Sequence, residues 1–146
     1  MKLSSHLSLT APVAGLTAWQ AGWEPMVWLY AGAVLIDLDH YLYFALHTGR
    51  ISPVEMFTWY EDADRQCTLD SYYGLNVLHA AEPFIILAMA THIWPMLSWL
   101  LLGMGFHMLL DLIWLYRHPN ISVKVRAYSW IEHLIRLRRG EREFWR

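Results

Sequence analysis

Long apolar runs alternate with short polar breaks along this chain. Four runs approach the roughly 20 residues needed to cross a bilayer. They cover about residues 3–20, 26–47, 73–94 and 96–116. Gly22-Trp23-Glu24-Pro25 punctuates the first run, Thr48-Gly49-Arg50 ends the second, Pro95 divides the third from the fourth, and His118-Pro119-Asn120 closes the fourth. The first run is the most polar, with Pro12, Gly15 and several hydroxyl side chains. A polar stretch follows the second run. There Ser52-Pro53-Val54-Glu55 reads as a helix start, with Ser52 as cap and Pro53 in the first helical position. Residues 122–139 read as an amphipathic helix, with Val125, Tyr128, Ile131, Leu134 and Ile135 near one face and Arg126, Arg136 and Arg139 elsewhere. That helix suits either an anionic membrane surface or the protein's own cytoplasmic face. The pattern predicts an all-α polytopic membrane protein of one domain, residues 1–146: four transmembrane helices, a cytoplasmic loop helix and a C-terminal amphipathic surface helix.

Composition strengthens that expectation. Of 146 residues, 56% are hydrophobic and only 16% charged, below the roughly 25% of a soluble domain. Mean hydropathy is +0.24. Nine Trp and eight Tyr suit side chains anchored at a membrane–water boundary. Net charge is −2, so there is no basic footprint for nucleic acid. The single cysteine, Cys67, cannot form an internal disulfide. Lys2 and the polar residues up to Ser8 interrupt any secretory core, so the N-terminus is expected to be retained. All 11 Lys and Arg lie at the N-terminus, between the second and third runs, or after Tyr116. The positive-inside rule then places both termini and the 50–71 segment in the cytoplasm.

Ionisable residues interrupt the apolar runs. An ionisable group costs about 2.5–3.5 kcal/mol at the centre of a span, so such groups face the bundle interior and find partners. The candidates are His6 in the first run; Asp37, Asp39 and His40 in the second; His79 and Glu82 in the third; and His107 and Asp111 in the fourth. Imidazole and carboxylate without thiolate suit a divalent metal, zinc first, with iron and manganese as alternatives. His79/Glu82 and His107/Asp111 have the i, i+3 and i, i+4 spacings that share a helix face. Counted inward from the cytoplasmic ends, most lie about 8–15 Å deep, and His6 roughly 5 Å. Asp37 and Asp39 diverge by about 160° on an ideal helix, so Asp37 is the alternative candidate for orienting a ligating histidine. His47, His92, His118 and His133 lie outside this set. Gly103 and Gly105 suggest close helix packing next to His107.

These residues resemble a known family. Asp37-Leu38-Asp39-His40, within an apolar run, looks like the Asp-x-Asp-His motif of the YdjM-like membrane-bound metal-dependent hydrolases, which are small multi-span inner-membrane proteins. His6 matches that family's N-terminal histidine, and His107-Met108-Leu109-Leu110-Asp111 its late His-x-x-x-Asp motif. The middle motif departs: Leu78-His79-Ala80-Ala81-Glu82-Pro83-Phe84 keeps a histidine but has no counterpart of the family's arginine. The resemblance implies a metal-dependent hydrolase in an inner membrane. The expected ligands are His6, Asp39, His40, His79, His107 and Asp111. Glu82 is the expected general base or a further ligand, and the expected substrate is a lipid or lipid-linked ester entering from the cytoplasmic leaflet. Two other readings remain at this point: a non-catalytic, metal-stapled subunit of a larger membrane complex, and a di-metal oxidase.

Overall fold

The computed structural model describes residues 3–66, 72–117 and 126–143. The chain is predominantly helical. Its elements are α1 (Leu3–Ala21), α2 (Trp23–Leu35), α3 (Leu38–Thr48), α4 (Pro53–Gln66), β1 (Tyr72–Leu75), a 3₁₀ turn (Val77–His79), α5 (Ala81–Ala90), α6 (Leu97–Arg117), β2 (Arg126–Ala127), α7 (Trp130–Arg138) and β3 (Arg142–Glu143). They form two compact units. The first comprises Met1–Asp37 and Glu82–His118, the second Leu38–Ala81 and Pro119–Arg146.

Among the described residues, one helix is long and apolar enough to cross a membrane by itself. This is α6, whose 21 residues rise about 30 Å. The expected second span, 26–47, is not one helix. It breaks at Ile36-Asp37, where the Asp37 N–H bonds Val34 O at 3.2 Å instead of continuing the α-helical ladder. Aspartate competes poorly for helix interiors and stabilises helix starts, and Asp39 lies in the first turn of α3. The expected third span, 73–94, breaks too. It becomes β1, the 3₁₀ turn and the ten-residue α5. Pro83 is the reason. In a continuous helix its ring would meet the carbonyl of His79, whereas the first turn of α5 tolerates it.

In the first unit, α1 ends at Gly22, whose N–H donates to the Ala18 carbonyl at 3.1 Å and whose positive φ of 98° then turns the chain out of the helix. Helix α2 packs against both α1 and α6. The α2–α6 contact is backbone on backbone. A methyl group on Gly32 would collide with the Leu100 carbonyl, and one on Gly103 with the Leu29 carbonyl. Gly105 meets nothing within 4 Å, so its expected packing role falls to Gly32 instead.

The second unit packs Phe44 of α3 on Trp59 of α4, with ring centroids 5.7 Å apart, and buries Met56 beside them. Helix α4 starts as expected, with the Glu55 N–H donating to Ser52 Oγ at 3.4 Å. Strand β1 is the centre of a three-stranded parallel sheet, in the order β2-β1-β3. These strands were not expected, because they are two to four residues long and pair positions 52 to 70 residues apart, such as Gly74 with Arg126 and Tyr72 with Arg142. The amphipathic helix is shorter than 122–139. Helix α7 begins at Trp130, and residues 122–125 lie outside the described residues. Ser129 caps it, accepting from the Ile131 and Glu132 N–H groups, while Glu132 accepts from Tyr128 N at 2.9 Å.

The close α2–α6 approach yields a test. Gly32→Ala and Gly103→Ala should each lower stability by about 1–3 kcal/mol through overpacking. Gly15→Ala, in open space on α1, should be neutral or stabilising by up to about 1 kcal/mol. Unfolding in detergent, followed by circular dichroism, reads the difference.

Candidate metal centre

The first unit brings together His6 from α1, Asp37 from the end of α2, and His107 and Asp111 from α6. Helical spacing puts Gly103, His107 and Asp111 on one face of α6, so the close approach at Gly103 carries His107 onto α2. The His107 Nδ1 then lies 2.8 Å from Ala33 O. This carbonyl is open to a side chain because the Asp37 N–H, its normal helical partner, has turned to Val34 O. A carbonyl only accepts, so Nδ1 carries the hydrogen. Nε2 therefore faces Asp37 Oδ1 at 3.4 Å and Asp111 Oδ2 at 3.6 Å, as a donor when the ring is protonated and as a lone pair when it is neutral. On the other side, His6 Nε2 lies 3.2 Å from Asp111 Oδ1. The two imidazoles stack, with centroids 3.7 Å apart and planes 7° from parallel.

Two carboxylates and two imidazole nitrogens thus converge in a nearly dry place. His6 is 1% exposed, His107 0%, and the side chains of Asp111 and Asp37 16% and 22%. Two buried carboxylates need a positive charge beside them, which a protonated imidazole or a metal ion supplies. The ligand atoms of His6, His107 and Asp111 lie within 4.8 Å of one another and can hold a metal ion. Thr10, one turn beyond His6 and 1% exposed, belongs to the same buried face of α1. Its i, i+4 spacing from His6 was the available signal, and sequence reasoning missed it.

The second unit holds Asp39, His40 and His79. Asp39 Oδ2 accepts from the Leu78 N–H at 2.8 Å and from His79 Nδ1 at 3.0 Å. This is the geometry in which a carboxylate orients an imidazole and directs its Nε2 elsewhere. The His40 ring stands 4.9 Å from that of His79, and the His40 carbonyl accepts from the Tyr60 hydroxyl at 3.0 Å. The two aspartates therefore face different histidines, Asp37 facing His107 and Asp39 facing His79. Asp37 faces a ligand group, and Asp39 orients a histidine.

Glu82 does not share a helix face with His79, because Ala80 is extended between the 3₁₀ turn and α5. Half-buried in the first turn of α5, it lies outside the group of His6, His107 and Asp111. His47 is exposed and stacks on Tyr43, His92 is exposed, and His133 lies on α7. His118 and Cys67 lie outside the described residues. No family profile, curated protein or solved structure matches the chain.

Divalent-metal content of the detergent-purified protein, read by elemental analysis, should be lost in His107→Ala and Asp111→Ala and kept in Glu82→Gln and His92→Ala. The double variant His107→Ala/Asp111→Ala should be no worse than either single, since the first loss already breaks the site. Protons compete with the metal for imidazole nitrogen. Metal affinity should therefore fall on acidification, by up to about a hundredfold per pH unit for two histidine ligands. A competition titration with a chromophoric chelator at mildly acidic and neutral pH reads that slope.

Proposed function

We propose that the chain is a membrane-embedded, zinc-dependent hydrolase acting on a lipid or lipid-linked ester, as the YdjM-like resemblance of its Asp37-Leu38-Asp39-His40 motif implies. The observation that carries this reading is the convergence of His6, His107 and Asp111, with Asp37 beside them. Three protein ligands of this kind leave a fourth position for water or substrate, the pattern of catalytic rather than structural zinc. A zinc ion bound there would acidify water and polarise an ester carbonyl or phosphoryl oxygen.

The chain's own residues supply the rest. His107 is held in one tautomer by the Ala33 carbonyl, so its Nε2 is preset to ligate. Asp37 is the most exposed of the four, within 3.4 Å of the ligating nitrogen, and it takes the proton from the attacking water and passes it to the leaving oxygen. This gives Asp37 the role first expected of Glu82. The apolar exterior of α6, with Leu102, Leu109 and Leu112 each more than half exposed, favours a setting in lipid and a substrate that arrives through the leaflet. The distribution of Lys and Arg favours an inner-membrane orientation with both termini in the cytoplasm.

One observation favours the staple reading as second choice. The ligands join α1 to α6, and an ion would tie the two helices together.

Asp37→Asn separates the two. As a hydrolase the protein should keep its zinc and lose about 10²–10⁴-fold in turnover of lipid esters or phosphoesters. Zinc-loaded parent protein that turns over none of a panel of such lipids, while chelation still lowers its unfolding temperature, supports the staple instead.

A further inference from the structure

Helix α7 is turned the wrong way for water. Its outward stripe is Ile131, Leu134, Ile135 and Arg138, at the i, i+3, i+4, i+7 spacing of one helix face. The three apolar members are 65%, 57% and 45% exposed. The other side of the helix carries its polar groups. There Arg136 is only 22% exposed, held 2.7 Å from Glu132 and 3.4 Å from Glu141. A helix docked on a water-soluble domain shows the reverse arrangement, with its apolar stripe inward and its charges outward.

We infer that α7 lies lengthwise on an anionic lipid surface, with Ile131, Leu134 and Ile135 immersed among the acyl chains. Three observations select lipid as the occupant. First, the charge on the outward side is wholly basic. Arg138 ends the apolar stripe and Arg139 follows it, both exposed, and among the described residues neither has a carboxylate partner. A long arginine side chain at the rim of an apolar stripe can rise to a phosphate headgroup while its stem stays in the hydrocarbon boundary. Second, the acidic residue of the helix, Glu132, is consumed by the cap and by Arg136, so nothing acidic on the outward stripe would repel an anionic headgroup. Third, Trp130 opens the helix half-buried, with its indole N–H given to the Val77 carbonyl at 3.2 Å, the side chain most often found at the membrane boundary. The helix therefore has the apolar stripe, the basic rim and the interfacial aromatic of a surface-lying anchor. This inference does not depend on zinc or on hydrolysis.

The test uses the full chain in a Cys67→Ser background, with an environment-sensitive fluorophore at Leu134→Cys and, in a second sample, at Leu109→Cys of α6. Each sample is mixed with vesicles of phosphatidylcholine alone or with phosphatidylglycerol, with and without brominated acyl chains. The label at 134 should shift to the blue and be quenched by bromolipid in the anionic vesicles, and less so in the neutral ones or at high salt. Arg138→Gln and Arg139→Gln should each lower its lipid partition roughly fivefold, the effect of about one basic residue near an anionic surface. A label at 134 that stays in water while the label at 109 is quenched overturns the inference and leaves the membrane reading of α6 intact. A label at 134 that is quenched while the label at 109 is not upholds the inference and removes the span. Shielding from water at 134 without bromolipid quenching assigns the stripe to a protein partner or a second copy, and overturns the lipid assignment.

Discussion

The hydrogen bond from His107 Nδ1 to the Ala33 carbonyl organises the first unit. It exists because two things happen within one turn of each other. Helix α2 ends early, which leaves an unclaimed carbonyl, and Gly32 and Gly103 remove the side chains that would hold α6 away from it. The bond then fixes which nitrogen of His107 faces the carboxylates of Asp37 and Asp111. With Nδ1 held by the carbonyl, Nε2 is the atom turned toward the two carboxylates, and a proton or a metal ion at that atom supplies the positive charge they need.

The chemistry of this centre was readable from residue type more than from helical periodicity. His6, His107 and Asp111 stand out because ionisable groups in apolar runs demand partners, and they do come together. The i, i+4 spacing of His107 and Asp111 holds because α6 is a continuous helix. The i, i+3 argument for His79 and Glu82 fails because Pro83 restarts the helix, a signal present in the sequence but outweighed by the apolar run around it. The helix break at Asp37 was legible only in part. An ideal helix could not aim both aspartates at one point, and the chain breaks between them so that each faces a histidine of its own.

The sheet was the least legible part. Strands of two to four residues carry no usable alternation, and their partners lie on distant stretches of chain, so no local pattern marks them. The cap of α7 was different. Ser129-Trp130-Ile131-Glu132 is a recognisable capping pattern, and it places the start of that helix more closely than its apolar spacing does.

Each compact unit is assembled from two separated stretches of chain, one early and one late. This has a consequence for synthesis. When His6 leaves the ribosome, the histidine and aspartate it will meet on α6 lie more than a hundred residues away, several seconds of translation at ordinary rates. Strand β1 likewise waits for β2 and β3, 52 and 70 residues further on. The nascent protein must therefore hold a buried-type histidine until α6 is made, and an unpaired strand until β2 and β3 are made. Loops closed over such distances make maturation slow relative to the chain's small size. Premature termination anywhere before α6 would leave both units without their closing pieces.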